Sequence, residues 1–437
     1  MASADATQAA SGGPLLARWQ GLIAPDPAVL KRLEGLAGLL LLVLLTGLPL
    51  FTRTGLALVI AACGALWLLW CLCSPPRRIG AISLWLMLFL AIAVVATGCS
   101  PVPIAASKGL IKLLSYLGVY ALLCKLLLSN ERWWDRLVAG LLSGGLLSSV
   151  LALRQLYASS EELAGWADPN SISAGTIRIY GPLGNPNLLA GYLLPLIPFA
   201  AIALVRWRGL GAQLFAGTTL VLAGTATLFT YSRGGWLGMV AAGAVLLLLL
   251  LLRWTRHWPL VLRRLVPLAV LLVGAACLVV AATQIDPIRT RITSLLAGRG
   301  DSSNNFRINV WMAAIQMVQD RPWLGIGPGN AAFNNIYPLY QQPKFNALSA
   351  YSVPLEILVE TGIPGLLACL GLLASSLRQG LQQLNANGPS ALASIASLAA
   401  IAGLLMQGST DTIFFRPEVQ LIGWFALASL VSRPRES

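Results

Sequence analysis

Long apolar runs separated by short polar links set the frame of this chain. Twelve such runs lie near residues 34–51, 55–73, 80–98, 103–127, 134–156, 186–205, 212–231, 234–252, 262–283, 352–377, 391–410 and 418–432. Most approach the roughly 20 residues that a helix needs to cross a ~30 Å hydrocarbon layer. They are solid rather than alternating, unlike the ~10-residue alternating segments of a membrane β-barrel. The pattern predicts an all-α integral membrane protein with about twelve transmembrane helices. The fourth run contains Lys108 and Lys112, so either two cations enter that span or the span begins later. The last run is short.

The polar segments divide the chain into four parts. Residues 1–30 read as a cytoplasmic tail, with a short interfacial helix near residues 15–23 and no signal-peptide pattern. Residues 31–283 carry spans 1–9. Residues 284–350 form a large periplasmic loop between spans 9 and 10, and residues 351–437 carry spans 10–12. The link at 157–185 is also long, and long links in a compact bundle are usually functional or disordered. Within the large loop, Phe306, Val310, Ala313, Ala314 and Met317 recur at helical spacing. They predict an amphipathic helix near residues 304–319, lying along the membrane surface. The run Asp301-Ser302-Ser303 offers its N-cap, and Pro322 ends it.

Charge fixes the orientation. The chain is 57% apolar and only 11% charged, with a net charge of +14. With the N-terminus inside, seventeen of the 30 Lys and Arg residues fall on inner links, among them Arg18, Lys31, Arg77, Arg132, Arg206, Arg256, Arg378 and Arg433. The short links on the other side hold Arg53, Arg233 and Arg416. The positive-inside rule then places both termini in the cytoplasm and accounts for the basic balance without a nucleic-acid partner. Seven cysteines form no C-x-x-C pair, and the single histidine, His257, lies on an inner link. No metal site and no cofactor are expected from that set.

Five groups carry candidate chemistry. Arg233, followed by two glycines, sits at an outer helix end as an anion ligand or as a snorkelling cation. Arg178 precedes a glycine–proline turn and Asn185-Pro186-Asn187, which reads as a helix N-cap or as part of the same outer cleft. The run Leu324 to Asn330 spaces its glycines as an anion nest or a plain turn. Glu356 and Glu360, four apart, share one helix face on entering a span, with outer arginines as the expected partners. Lys108, Lys112 and Asp411 are weaker candidates for a polar path.

These pieces resemble the O-antigen ligase and polymerase superfamily. The matching pieces are Arg178 with Gly181 to Asn187, Arg233-Gly234, the run from Arg307 and Trp311 through Asp320 to Asn330, and Leu355 to Gly362. The resemblance implies a multi-pass protein of a bacterial inner membrane, with membrane lipid and a lipid-linked glycan as partners. The ligases carry a histidine just before the Leu-Glu element, where this chain reads Ala350-Tyr351-Ser352. The run from Phe345 to Ile357 is similar to the cyanobacterial IctB-type branch, which is linked to bicarbonate accumulation. Two functions follow. In bicarbonate uptake, Arg178, Arg233 and Arg307 would form a cationic vestibule for the small anion. In glycan transfer they would hold a polyprenyl diphosphate, Glu356 or Glu360 would act as catalytic base, and Asn187 and Tyr351 would complete the binding site.

Overall fold

A computed structural model of the chain describes residues 26–75, 79–157, 178–284, 289, 298–384 and 388–431, and among these the regular structure is helical throughout. A chain in hydrocarbon must satisfy every backbone N–H and C=O internally, which the helix does within one segment. The elements in order are α1 (Pro27–Gly47), α2 (Arg53–Cys73), α3 (Ala81–Gly98), α4 (Pro103–Ser129) and α5 (Arg132–Arg154). They continue with α6 (Pro186–Leu193), α7 (Leu196–Arg206), α8 (Leu210–Phe229), α9 (Arg233–Trp254) and α10 (Leu260–Gln284). The last are α11 (Ser302–Asp320), α12 (Asn330–Ile336), α13 (Val353–Leu384), α14 (Pro389–Gly408) and α15 (Pro417–Ser429).

Among the described residues, nine helices are long and apolar enough to cross a membrane, against twelve expected. Two shortfalls have plain reasons. The first span falls on α1, which carries Lys31, Arg32 and Glu34 in its opening turns. The twelfth falls on α15, whose 13 residues reach only about 20 Å at 1.5 Å per residue. In the fourth span, α4 begins at Pro103 and runs 27 residues, so Lys108 and Lys112 both lie on that helix. The expected helix at 15–23, Arg77, Arg78, Arg433, Arg435 and most of the 157–185 link lie outside the described residues.

Glycines set the closest helix approach. A Cβ on Gly238 of α9 would stand 2.7 Å from the Gly403 carbonyl of α14, and one on Gly403 would stand 2.9 Å from the Gly238 carbonyl. The two backbones touch, as small residues allow between membrane helices. At the end of the bundle away from α11, charged groups are paired. Arg206 grips Asp135 through two hydrogen bonds of 2.6 and 2.7 Å, and the Trp133 indole donates to Glu34 at 2.7 Å. Lys125 donates to the Ser74 carbonyl.

The opposite end is organised by a break in α13. Gly362 has φ 67°, a left-handed value that only glycine adopts cheaply. Pro364 has no N–H, so the Glu360 carbonyl loses its helical partner. The 321–330 loop fills the gap. Ile326 N–H donates to the Val359 carbonyl (2.9 Å), Gly327 N–H donates to the Glu360 carbonyl (3.0 Å), and Ile363 N–H donates to the Pro322 carbonyl (2.8 Å). Ser100, just before α4, donates to the Ile326 carbonyl at 2.5 Å.

Above this loop lies α11. Asp301 is its N-cap, accepting the Asn304 N–H at 3.1 Å, and the helix ends at Asp320 before Pro322. The stripe of Val310, Ala313, Ala314 and Met317 is buried against Ile326, Phe333, Tyr337 and Val359. The protein's own loop therefore covers the apolar stripe.

Gly362→Ala should lower stability by about 1–3 kcal/mol, because alanine is strained at that φ and its methyl would overlap the Trp323 carbonyl. Thermal unfolding in detergent reads the loss. Gly274→Ala in α10, where a Cβ meets nothing within 4 Å, should match the parent or exceed it by up to about 1 kcal/mol, because alanine is the better helix former.

Candidate functional site

The site forms where the turn between α8 and α9 meets the start of α6, the foot of α11 and the turn between α14 and α15. Tyr231 in the first turn has φ 48°, a strained value for a non-glycine residue. Ser232 then caps α9 by accepting the Gly235 N–H at 3.2 Å. This geometry points Arg233, the first residue of α9, at the foot of α11. Its Nη2 donates to Asp301 Oδ1 at 2.9 Å and its Nη1 donates to Asn304 Oδ1 at 3.0 Å. The glycines after Arg233 face helices: a Cβ on Gly235 would meet Ala190 of α6 at 2.7 Å. They are packing residues, not an opening for an anion.

Arg178 is fixed on the same turn. Its Nε donates to the Thr230 carbonyl at 2.9 Å and its Nη2 donates to Asn187 Oδ1 at 2.7 Å. Asn185 caps α6, accepting the N–H groups of Asn187 (2.8 Å) and Leu188 (3.1 Å). The Asn187 side chain is thereby free for the site, and its Nδ2 donates to Asp411 Oδ2 at 3.0 Å. Asp411 Oδ1 accepts the Thr412 N–H at 2.8 Å.

Arg307 completes the cluster from the second turn of α11. It lies within electrostatic reach of Asp411, Arg233, Tyr351 and Asp301. Burial pushes its guanidinium below the ordinary arginine value, and Asp411 opposes that shift. Burial also raises the Asp411 carboxyl above its ordinary value, with Arg307 pulling it down. Tyr351 has φ 51° and sits edge-on to Phe306 at 5.4 Å between ring centres.

The structure brings Arg178, Asn187, Arg233, Arg307 and Tyr351 together. It sends the two glutamates elsewhere than expected. Glu356 is 1% exposed and Glu360 is 8% exposed. Their hydrogen bonds come from backbone N–H groups rather than from outer arginines: Ala350 N–H to Glu356 Oε2 (2.5 Å) and Gly329 N–H to Glu360 Oε1 (2.7 Å). Each holds a loop. Glu356 fixes the residue before Tyr351, and the Ser349–Thr412 hydroxyl pair (2.5 Å) ties that loop to the Asp411 turn. Glu360 fills the glycine nest, so the nest's anion is the protein's own carboxylate. Of the two lysines, Lys108 is exposed, while Lys112 donates to the Phe415 carbonyl at 2.7 Å and lies over the Tyr116 ring.

Sequence reasoning gave Asp411 only a weak place and read Asp301 as a cap alone. No local pattern marks either as an arginine partner, because their partners lie far away along the chain.

The described fold is that of a multi-spanning helical membrane protein with a buried arginine–carboxylate cluster at one end of its bundle. Residues 218–370, about a third of the chain, match the model of a family described as O-antigen ligase. The matched stretch runs from within α8 into α13 and contains Arg233, Asp301, Arg307, Tyr351 and both glutamates. Arg178, Asn187 and Asp411 lie outside it. No curated protein matches the chain. Of the two functions considered, the match favours the glycan ligase and lends nothing to bicarbonate uptake or to the IctB-type branch.

A carboxyl raised above its ordinary value stabilises the fold while protonated and loses that contribution as pH rises through its folded-state value. Parent stability should therefore fall more steeply than that of Asp411→Asn as pH rises above about 4, the ordinary aspartate value. Thermal unfolding across that range checks this. Identical slopes would remove Asp411 from the balance.

Proposed function

We propose that the chain is a membrane glycan transferase of the ligase or polymerase type, acting at the periplasmic face on a polyprenyl-diphosphate-linked donor. The observation that carries this reading is the convergence of Arg178, Arg233 and Arg307 on Asn187, Asp301 and Asp411. Guanidinium forks match phosphate oxygens in shape and charge. In glycan transfer the bond between the sugar C1 and a diphosphate oxygen breaks, and negative charge grows on the departing diphosphate. Guanidinium groups already in place stabilise that charge without reorganising.

The acceptor hydroxyl must lose a proton as its oxygen bonds to C1. Of the two carboxylates among the arginines, Asp301 is held in the Arg233 bridge, and Asp411 is our choice to receive it. Glu356 and Glu360 serve instead as positioning residues, one for the Tyr351 loop and one for the glycine loop. The helix ends carrying Lys31, Arg32, Lys125, Arg132, Arg206 and Arg253 lie at the opposite end of the bundle. By the positive-inside rule that end is cytoplasmic, in a bacterial inner membrane. Membrane lipid and a lipid-linked glycan are the partners this reading requires, with α11 covering the bound donor.

Purified protein in liposomes, given a polyprenyl-diphosphate oligosaccharide and a hydroxyl acceptor, should transfer the glycan. Arg178→Ala and Arg307→Ala should each reduce the rate by roughly 10²-fold or more. Arg208→Ala, on the link between α7 and α8 at the far end, should leave it unchanged. Equal rates in all four proteins, or no transfer by folded parent protein with any donor offered, would sink the proposal.

A further inference from the structure

Three buried polar atoms on and beside α11 have no hydrogen-bond partner: Asp301 Oδ2, Arg307 Nε and Trp311 Nε1. Asp301 is 0% exposed, and its other oxygen is taken by Arg233 and by the Asn304 N–H. Arg307 and Trp311 are four apart in one helix, so they share a face. Arg307 is within electrostatic reach of Asp301. The three atoms thus present one acceptor and two donors along α11, with Arg307 in electrostatic reach of the arginine cluster. Leaving buried groups of this kind unpaired is costly, and native structures rarely do so without a ligand or water to fill the place.

The chemistry of the three atoms narrows what fits. A phosphate would satisfy Arg307 and Trp311 but would face the Asp301 carboxylate. A metal cation would satisfy Asp301 but would face Arg233 and Arg307. A hydroxyl both donates and accepts, so it alone among these satisfies both kinds of atom. Two neighbouring ring hydroxyls would use all three, with one O–H donating to Asp301 Oδ2 and two oxygens accepting from Arg307 and Trp311.

We infer that Asp301 Oδ2, Arg307 Nε and Trp311 Nε1 form a sugar-hydroxyl subsite, which recognises a glycan ring beside the diphosphate held by the arginines. The inference rests on the glycan-transfer reading above, which it deepens by naming the residues that read the sugar. It divides the work of Arg307, whose Nε serves the sugar while its Nη1 lies 3.4 Å from the Ser303 hydroxyl one turn back on α11.

The test is ligand binding to the full-length protein in detergent, read by saturation-transfer NMR. The probes are methyl glucoside, methyl mannoside and methyl galactoside, with inorganic diphosphate as a separate probe. At least one glycoside should bind the parent. Asp301→Asn, which keeps an oxygen to cap α11, should weaken that binding about tenfold or more. Trp311→Phe, which keeps a ring and stands clear of the Arg233 bridge, should also weaken the glycoside while leaving diphosphate binding unchanged. Glycoside binding unchanged in both variants would overturn the subsite. So would diphosphate binding that is lost in Arg178→Ala while no glycoside binds the parent, and in that case the diphosphate site would stand. Failure of both probes to bind folded parent would remove the glycan-transfer reading together with the subsite.

Discussion

The exchange of hydrogen bonds at the break in α13 is the constraint on which the rest of the site depends. Pro364 denies the Glu360 carbonyl its helical donor, and Gly362 turns the chain aside. The 321–330 loop supplies the missing N–H groups and receives one in return. A helix interrupted within a membrane survives where protein re-satisfies its freed groups, and here that protein is the segment following α11. The loop can lie this close because Gly325, Gly327 and Gly329 all hold positive φ, the first presenting no side chain to α13 and the other two none to Ser100 and α4. Side chain and main chain of Glu360 work together: the carbonyl takes Gly327, the carboxylate takes Gly329. Through this contact the position of α11, and with it Asp301 and Arg307, is referred to the core of the bundle.

The charge cluster follows a different logic. Its members come from segments separated by more than two hundred residues, and Arg178 and Arg233 are matched to acceptors on a neighbouring segment. Arg178 reaches α6, Arg233 reaches α11, and Arg307 lies toward the Asp411 turn. Alternating cations with carboxylates and carboxamides lowers the cost of crowding three guanidinium groups in a partly buried space. The same alternation keeps the guanidinium planes oriented before any ligand arrives.

The helices were legible in the sequence because lipid imposes a simple rule of length and apolarity, and each expected span falls on a helix. The α11 cap, its apolar stripe and the Asn185 cap were legible too, since all three are local patterns. What the sequence concealed was pairing. Glu356 and Glu360 do share a helix face, but spacing along a helix says nothing about which loop folds back onto it. The glycine run is legible as a nest or a plain turn, but nothing in it shows that the carboxylate at its Gly329 N–H comes from about thirty residues further on. Asp411 looked like one isolated acid at a helix end, because only the folded chain brings Asn187 and Arg307 beside it. A count of spans from apolarity alone also overreached at α1 and α15, where charge and shortness intervene.

The bare contact between Gly238 and Gly403 has a bearing on how such a protein can diverge. The helix that starts with Arg233 and the helix that leads into the Asp411 turn meet backbone to backbone, with the Leu194 side chain packed against both glycines. Their separation is thus set by backbone radius, a quantity that selection cannot adjust in small steps. Adding even one methyl group there would prise the two helices apart. The separation of Arg233 from the Asp411 turn would change at the ends of both. The lipid-facing surface of these helices carries no such restriction, while this one crossing point acts as a gauge between the two segments.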